Sequence, residues 1–187
     1  MSKVKEILRF VLYCLGIKRV PALSQIEQWK ARGVKIGKNF DAYDSVIDYC
    51  FGPLVSIGDN VTISGTTILA HDGSTKKIMG YSKVAPVKIG NDVFVGYGSI
   101  ILPRVTIGNK VIVGAGTVCS KDIPDNSVVV GGRTGYRILC TYDEYVERQR
   151  RRMEILPISN VCFKDKTERD WDDWMKQLEK NRSGFDL

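Results

Sequence analysis

The feature that most constrains the fold is a six-residue repeat in the middle of the chain. From Ile89 the sequence divides into IGNDVF, VGYGSI, ILPRVT, IGNKVI, VGAGTV and CSKDIP, without a slip up to residue 124. The first position is aliphatic or Cys, the second is Gly in four of the six units, and the fifth is small or β-branched. This period is neither that of a helix nor the simple alternation of an ordinary strand.

A less regular block of the same repeat comes earlier in the chain. It runs from residue 36 to 74, with a shift of frame at 54–56, and the frame is then lost over 75–88. In this frame Asp48 and Leu69 take first positions, which we expect to face inward. A buried carboxylate is costly unless it is paired, so the alternative is an irregular coil in which Asp48 turns outward.

Such a unit predicts a short strand followed by a turn. One aliphatic side chain per unit faces inward, and Gly or Asn takes the turn geometry that other residues resist. Three units make one triangular coil, and stacked coils bury one another's inner faces, since a single coil cannot bury its own. We therefore expect about two coils in 36–74 and two more in 89–124.

The run IGNDVFVGYGSIILPRVTIGNKVIVGAGTV resembles the hexapeptide-repeat acyltransferases. Within that family the chain is similar to the maltose and galactoside O-acetyltransferases and to the O-acetyltransferases of surface-polysaccharide pathways, over residues 34 to about 138. The resemblance implies a left-handed parallel β-helix, a homotrimer and acyl transfer from CoA. The left hand comes from the resemblance alone, because crossover connections between parallel strands are usually right-handed.

The predicted fold class is mainly β, a left-handed parallel β-helix with an N-terminal helix and a C-terminal helical extension. The predicted domains are an N-terminal helical segment at 1–33, a β-helix acetyltransferase domain at 34–131 with a loop at 75–88, and the extension at 132–187. In the extension, 141–156 is typical of a helix, and Thr167 with Asp170 indicates a capping box at the start of a second one.

His71, in LAHDGSTKK, is the only histidine of the chain. A lone histidine is most often structural, but its place before a loop is similar to that of the catalytic base in the maltose and galactoside enzymes. A neutral imidazole suits the removal of a hydroxyl proton at pH 7. Asp72, Asp48, Asp44 or a backbone carbonyl are the candidates for orienting the ring.

The resemblance places the acceptor pocket in the first coils and the CoA site in the later ones. The predicted acceptor contacts are Asp44, Asp48, Tyr49 and Asp72. The predicted CoA contacts are Phe94, Ala115, Gly116, Ser120, Lys121, Arg133 and Arg137. Phe94 stands where similar enzymes often carry Trp, and both arginines follow from charge and position, because VGGRTGYR departs from the family's usual AGNPAK.

The net charge of +7 is concentrated near the N-terminus, where positions 1–40 hold nine Lys/Arg and two Asp/Glu. This argues against a nucleic-acid partner, whose surface needs a basic stripe across the fold. Residues 3–19 combine basic and apolar side chains, and two interpretations remain: a helix packed on the protein, or peripheral contact with a membrane. We expect a cytoplasmic protein, with membrane association as the alternative.

Five cysteines without a CxxC pair indicate reduced thiols rather than a disulfide or metal framework. No metal is expected, because a site of the carbonic-anhydrase-like proteins on this fold needs three histidines, and a trimer with one histidine per chain would place only one at each site. The predicted function is an acetyl-CoA-dependent O-acetyltransferase acting on a sugar or surface-polysaccharide precursor. The alternatives are an N-acetyltransferase acting on an amino sugar or sugar nucleotide, a small-molecule (xenobiotic) acetyltransferase, and a structural trimer.

Overall fold

The structure is a computed structural model that describes residues 24–132 and 135–187. Helix α1, Gln25–Ala31, begins at Ser24, whose side chain accepts from the backbone N–H of Glu27 while the Glu27 carboxylate accepts from that of Ser24. Trp29 is the buried residue of α1 and packs against Phe40. The predicted helix over residues 3–19 lies outside the described residues.

Three parallel sheets form a left-handed β-helix, to which each coil contributes one strand per sheet. Sheet A contains β1 (Lys35–Ile36), β4 (Val55–Ile57), β9 (Val87–Ile89) and β12 (Thr106–Ile107). Sheet B contains β2 (Phe40–Tyr43), β5 (Val61–Ser64), β10 (Val93–Val95), β13 (Val111–Val113) and β15 (Ser127–Gly132), with β16 (Gly135–Thr141) antiparallel at its edge. Sheet C contains β3 (Val46–Ile47), β6 (Thr67–Ile68), β11 (Ile100–Ile101) and β14 (Val118–Cys119). The predicted fold class is confirmed.

The predicted inward positions of the later block form the core. The first-position residues of its six units are all buried: Ile89, Val95, Ile101, Ile107, Val113 and Cys119. The fifth positions are buried as well: Val93, Ser99, Val105, Val111, Thr117 and Ile123. The six-residue period therefore reflects the stacking of the coils directly.

The predicted frame is wrong at sheet C in the first two coils. The aliphatic stack there is Ile47, Ile68, Ile101 and Cys119, paired in register, so Asp48 and Leu69 each lie one residue past it. The reason is a shorter corner. Ile63 pairs with Val95 and Ile68 pairs with Ile101, so the chain from Ile63 to Ile68 is one residue shorter than the equivalent chain from Val95 to Ile101.

The first coil is longer than the regular coil that begins at Val93. Phe40 pairs with Val61 on the next coil, and Val93 pairs in the same way with Val111. The chain from Phe40 to Val61 is longer than the chain from Val93 to Val111. A 3₁₀ turn at Gly52–Leu54 accommodates the additional length. The segment from residue 49 to this turn leaves the repeat directly after Asp48, and its backbone N–H groups at Cys50 and Phe51 donate to that carboxylate.

The loop between the second and third coils is an ordered excursion. Strand β7 (His71–Asp72) pairs antiparallel with β8 (Lys83–Val84), and the short helix α2 (Lys76–Met79) lies at the tip. The tip exposes Ile78, Met79 and Tyr81 at 84%, 67% and 80%. The hairpin thus fixes His71 at the corner where sheet C leads into sheet A.

Two helices follow the β-helix. Helix α3 (Tyr142–Ile155) begins at the Thr141 capping box with Glu144, and α4 (Glu168–Asn181) begins at the predicted box of Thr167 with Asp170. Strands β17 (Ile158–Ser159) and β18 (Phe185–Asp186) pair in parallel on either side of α4 in the chain. Within the part of the chain that the structure describes, no helix is long and apolar enough to cross a bilayer.

Candidate active site

The centre of the site is a pair formed by His71 and Asp48. The imidazole Nδ1 lies 2.5 Å from Oδ2 of Asp48, across successive coils. The side chain of His71 is 34% exposed, whereas that of Asp48 has no exposed surface. Of the candidates for orienting His71, the structure therefore brings Asp48 to it.

Asp48 is buried but fully hydrogen-bonded. Its Oδ1 atom accepts from the backbone N–H groups of Cys50 and Phe51, and Oδ2 accepts from that of Ala70 as well as from His71. Burial alone would raise the pKa of the Asp48 carboxyl, but the bonds from His71, Ala70, Phe51 and Cys50 outweigh it and hold the pKa below its ordinary value. Asp48 is therefore ionised at neutral pH.

The charge of Asp48 selects the tautomer of His71. An ionised carboxylate only accepts hydrogen bonds, so Nδ1 must carry a hydrogen and donate it. The lone pair of the neutral ring then lies on Nε2, the nitrogen that Asp48 does not contact. The geometry gives the ring a fixed orientation and one basic atom.

Phe51 completes the surroundings of the imidazole. Its ring centroid lies 5.0 Å from that of His71 at 45°, and the 3₁₀ turn that follows holds the segment in place. Phe51 is a site residue that the repeat frame did not indicate. The signal for it was the irregular unit DYCFGP, in which Phe51 occupies a position that belongs to the turn in a regular unit.

Asp72 has a different environment from the one expected of a partner of His71. Its Oδ1 accepts from the backbone N–H of Ser74, and its Oδ2 lies 3.3 Å from Nζ of Lys83. Hydrogen bonds from Ser74 and then from Lys83 lower the pKa of the Asp72 carboxyl. Asp72 thus fastens the two strands of the hairpin together and is still accessible beside the site.

The other predicted acceptor residues separate into two places. Tyr49 follows Asp48 directly and is 72% exposed, with the guanidinium carbon of Arg32 4.1 Å from its ring centroid. Asp44 adopts a positive φ of 45° at the corner between sheets B and C. Sheet C separates that corner from His71 by roughly 13 Å at 3.3 Å per residue. Asp44 and His71 of the same protomer therefore lie at opposite ends of sheet C.

Asp48 also differs from its expected place. It was predicted as an acceptor contact, but with its side chain fully covered and both oxygens bonded within the protein, the carboxylate offers no surface to a ligand. Its position instead suits control of His71. Arg32, at the end of α1, lay outside the resembling stretch and was not predicted.

The predicted CoA residues lie along two corners and one face of the β-helix. Phe94 is 46% exposed on the outer face of sheet B, and Ala115 and Gly116 are on the corner between sheets B and C. Ser120 and Lys121 are exposed on the corner between sheets C and A. His71 lies on the same corner in an earlier coil. Arg137 is exposed on β16, whereas Arg133 lies outside the described residues.

The backbone around these residues leaves room for a ligand. A Cβ built on Gly116, where φ is +69°, meets nothing within 4 Å, so the corner is open. Lys121 forms no ion pair with any residue that the structure describes. Over the same ranges, no three His, Cys, Asp or Glu side chains gather into a group that could hold a metal ion.

Comparison with known proteins agrees with this architecture. A family model described as bacterial transferase hexapeptide (six repeats) matches residues 77–121. Protein CapG of Staphylococcus aureus is 46% identical over 114 residues, which is 57% of this chain and 65% of CapG. The Bacillus subtilis protein named "Putative acetyltransferase YvoF" is 32% identical over 156 residues, 81% of this chain and 86% of YvoF.

A solved structure is similar as well. The maltose O-acetyltransferase from Clostridium difficile 630 has 35% sequence identity and a TM-score of 0.51, covering 58% of this chain and 59% of that one. The matches to CapG and to the maltose enzyme span less than two thirds of those proteins.

Stacked coils built from six-residue units define the molecule as a hexapeptide-repeat β-helix protein. With YvoF matched over most of its length and the family model on the coils, the chain belongs to the hexapeptide-repeat acyltransferases.

Proposed function

We propose that this protein is an acetyl-CoA-dependent O-acetyltransferase that acetylates a hydroxyl of a sugar or surface-polysaccharide precursor. The observation that carries the proposal is the 2.5 Å contact between Nδ1 of His71 and the buried carboxylate of Asp48. It leaves Nε2 as a base at the edge of a partly exposed ring. The similarity to a maltose O-acetyltransferase supports a sugar hydroxyl as the acceptor.

His71 acts as the general base in this mechanism. Its Nε2 takes the hydroxyl proton as the acceptor oxygen bonds to the acetyl carbonyl carbon, and returns the proton to the sulfur when the carbon–sulfur bond breaks. Base catalysis of this kind contributes about 10²- to 10⁴-fold in rate. Asp48 stabilises the imidazolium between the two transfers, because its charge lies against Nδ1.

Acetyl-CoA supplies the activated acetyl group as a thioester. The residues that would hold it are Phe94, Ala115, Gly116, Ser120 and Lys121, with Arg133 and Arg137 toward its phosphates. The fit rests on the open corner at Gly116 and on the exposed ammonium of Lys121. Phe94 offers apolar surface but no N–H donor.

The assembly proposed is a homotrimer. The corner that carries Asp44, Gly98 and Gly116 and the corner that carries His71 lie at opposite ends of sheet C. For residues at both corners to form one site, a neighbouring copy would have to place its own Asp44 corner beside the His71 corner of the first copy. The β-branched outer face of sheet C, aligned in register as Val46, Thr67, Ile100 and Val118, supports burial against a neighbour. The exposed loop tip at Ile78 and Met79 supports contact with the same neighbour.

Release of CoA tests this function. Purified protein is incubated with acetyl-CoA and a panel of neutral sugars, amino sugars and sugar nucleotides, and free thiol is measured over time. Nuclear magnetic resonance of the product then locates the acetyl group on oxygen or nitrogen. Thiol release that requires an acceptor and yields an ester supports the proposal. An amide product, or no acceptor-dependent release, contradicts it.

A further inference from the structure

We infer that Arg32 selects an acceptor that carries an anionic group, a carboxylate or a phosphate, next to the hydroxyl that is acetylated. The inference rests on the proposed function and adds the chemical class of the acceptor. It starts from the contact between Arg32 and Tyr49, in which the guanidinium carbon lies 4.1 Å from the ring centroid.

The contact places a cation beside the catalytic pair. Tyr49 directly follows Asp48, the residue hydrogen-bonded to His71, and Tyr49 as a whole is 72% exposed. The guanidinium over that ring thus lies against the residue next to the carboxylate that orients His71, and the side chain of His71 is itself partly exposed. Stacking on an aromatic face holds a guanidinium flat and leaves its edge donors free.

The position of Arg32 is fixed by packing. Arg32 ends helix α1, and its backbone N–H donates to the carbonyl groups of Gln28 and Trp29. A Cβ built on Gly52 would lie 2.5 Å from the Arg32 carbonyl oxygen, so the site turn approaches the helix end as closely as glycine permits. The turn that covers Asp48 and the helix that carries Arg32 form one packed unit.

The charge of Arg32 is uncompensated. No Asp or Glu among the described residues forms an ion pair with it. Lys83 in the hairpin differs, because it already pairs with Asp72. Asp48 is covered and bonded to His71, so it is not available to Arg32 either. A planar guanidinium with free donors is the side chain best suited to bidentate binding of a carboxylate or a phosphate.

The experiment compares galactose with two anionic sugars that each differ from it in one group, galacturonic acid with its carboxylate and galactose 1-phosphate with its phosphate. Acetyl transfer to each is measured with the wild type, Arg32→Ala, Arg32→Lys and the control Arg169→Ala, at fixed ionic strength. Arg169 is 91% exposed on α4, and its replacement removes the same charge. Binding of each sugar is measured in parallel by calorimetry.

The expected result is a preference for at least one anionic sugar. Arg32→Ala should lower kcat/KM for that sugar by about tenfold or more, through KM, and should leave the neutral sugar unchanged. Arg32→Lys should recover part of the loss, since lysine keeps the positive charge but lacks the planar guanidinium that can donate two parallel hydrogen bonds. The anionic sugar that responds identifies the group as carboxylate or phosphate.

Equal losses for neutral and anionic sugars would overturn the inference. So would a wild type that does not bind the anionic sugars, or an Arg32→Ala variant that binds them as well as the wild type does. If no sugar is acetylated but Arg32→Ala still weakens anion binding selectively, the proposed reaction fails, and Arg32 is retained as an anion-binding residue without the link to acetyl transfer.

Discussion

The Oδ2 atom of Asp48 lies 2.5 Å from Nδ1 of His71, although 23 positions separate the two residues in the chain. The β-helix places them on successive coils, where His71 begins the β7–β8 hairpin and the segment that leads into the 3₁₀ turn donates to Asp48. Three backbone N–H groups, from Cys50, Phe51 and Ala70, keep the carboxylate charged while it is buried. The pair therefore depends on two neighbouring segments that depart from the repeat: the irregular segment after Asp48 and the hairpin that begins at His71.

Replacement of His71 by Ala should lower kcat for acetyl transfer about 10²-fold or more, because it removes the base. The fold should persist, since the imidazole is partly exposed and lies outside the aliphatic stacks. Thiol release measures the rate, and circular dichroism with gel filtration checks the fold and assembly. Turnover near that of the wild type would eliminate His71 as the base.

Replacement of Asp48 by Asn tests the positioning role. The amide keeps the shape but lacks the charge, and its NH₂ group can face Nδ1 and favour the other tautomer. We expect kcat to fall about 10²-fold or more with little change in acceptor KM, because the wrong tautomer leaves the base without its lone pair at Nε2. Asp125→Asn is the control, because that carboxylate also accepts a backbone N–H at a corner, but in a later coil. Equal activity of both variants would show that Asp48 is only structural.

The same pair predicts a pH-dependent stability. The folded-state pKa of Asp48 is below its ordinary value, so its contribution is present above the unfolded pKa of about 3.9 and is lost as pH falls through the folded pKa. Urea unfolding at a series of acidic pH values should show that the gap in unfolding free energy between wild type and Asp48→Asn narrows below about pH 4. A gap that does not narrow there would argue against an ionised Asp48.

The cysteines should differ sharply in reactivity. Burial raises the pKa of the Cys119 thiol to about 12, and its side chain lies in the sheet C stack, whereas Cys50 is exposed. Because the thiolate is the reactive form, native protein treated with iodoacetamide should be labelled at Cys50, and at Cys119 only in denaturant. Peptide mass spectrometry locates the label. Rapid native labelling of Cys119 would mean that the later coils open readily.

Much of the architecture follows from the period alone. Six uninterrupted units from Ile89 predicted which residues of the later coils face inward, and every first and fifth position there is buried. The start of the last helix at Thr167 was equally predictable, since a capping box is a local hydrogen-bond pattern within a single turn.

The same reasoning misplaced Asp48 and Leu69 by one position. A repeat frame counts residues along the chain, and it cannot detect that the path from Ile63 to Ile68 is one residue shorter than the path between their partners Val95 and Ile101. Ile47 and Ile68 take the stack instead, and Asp48 is released from an aliphatic slot that would have excluded its charge.

Patterns between neighbouring residues were enough to predict the β-helix, its inward positions in the later coils and the place of His71 before a loop. They could not predict that Asp48 rather than Asp72 orients His71, that Phe51 packs on the ring, or that Arg32 lies over Tyr49. These contacts appear only in the folded molecule, because they join segments that are far apart in the chain. They depend on the lengths of corners and turns, which set where a side chain arrives in space and leave no period in the sequence.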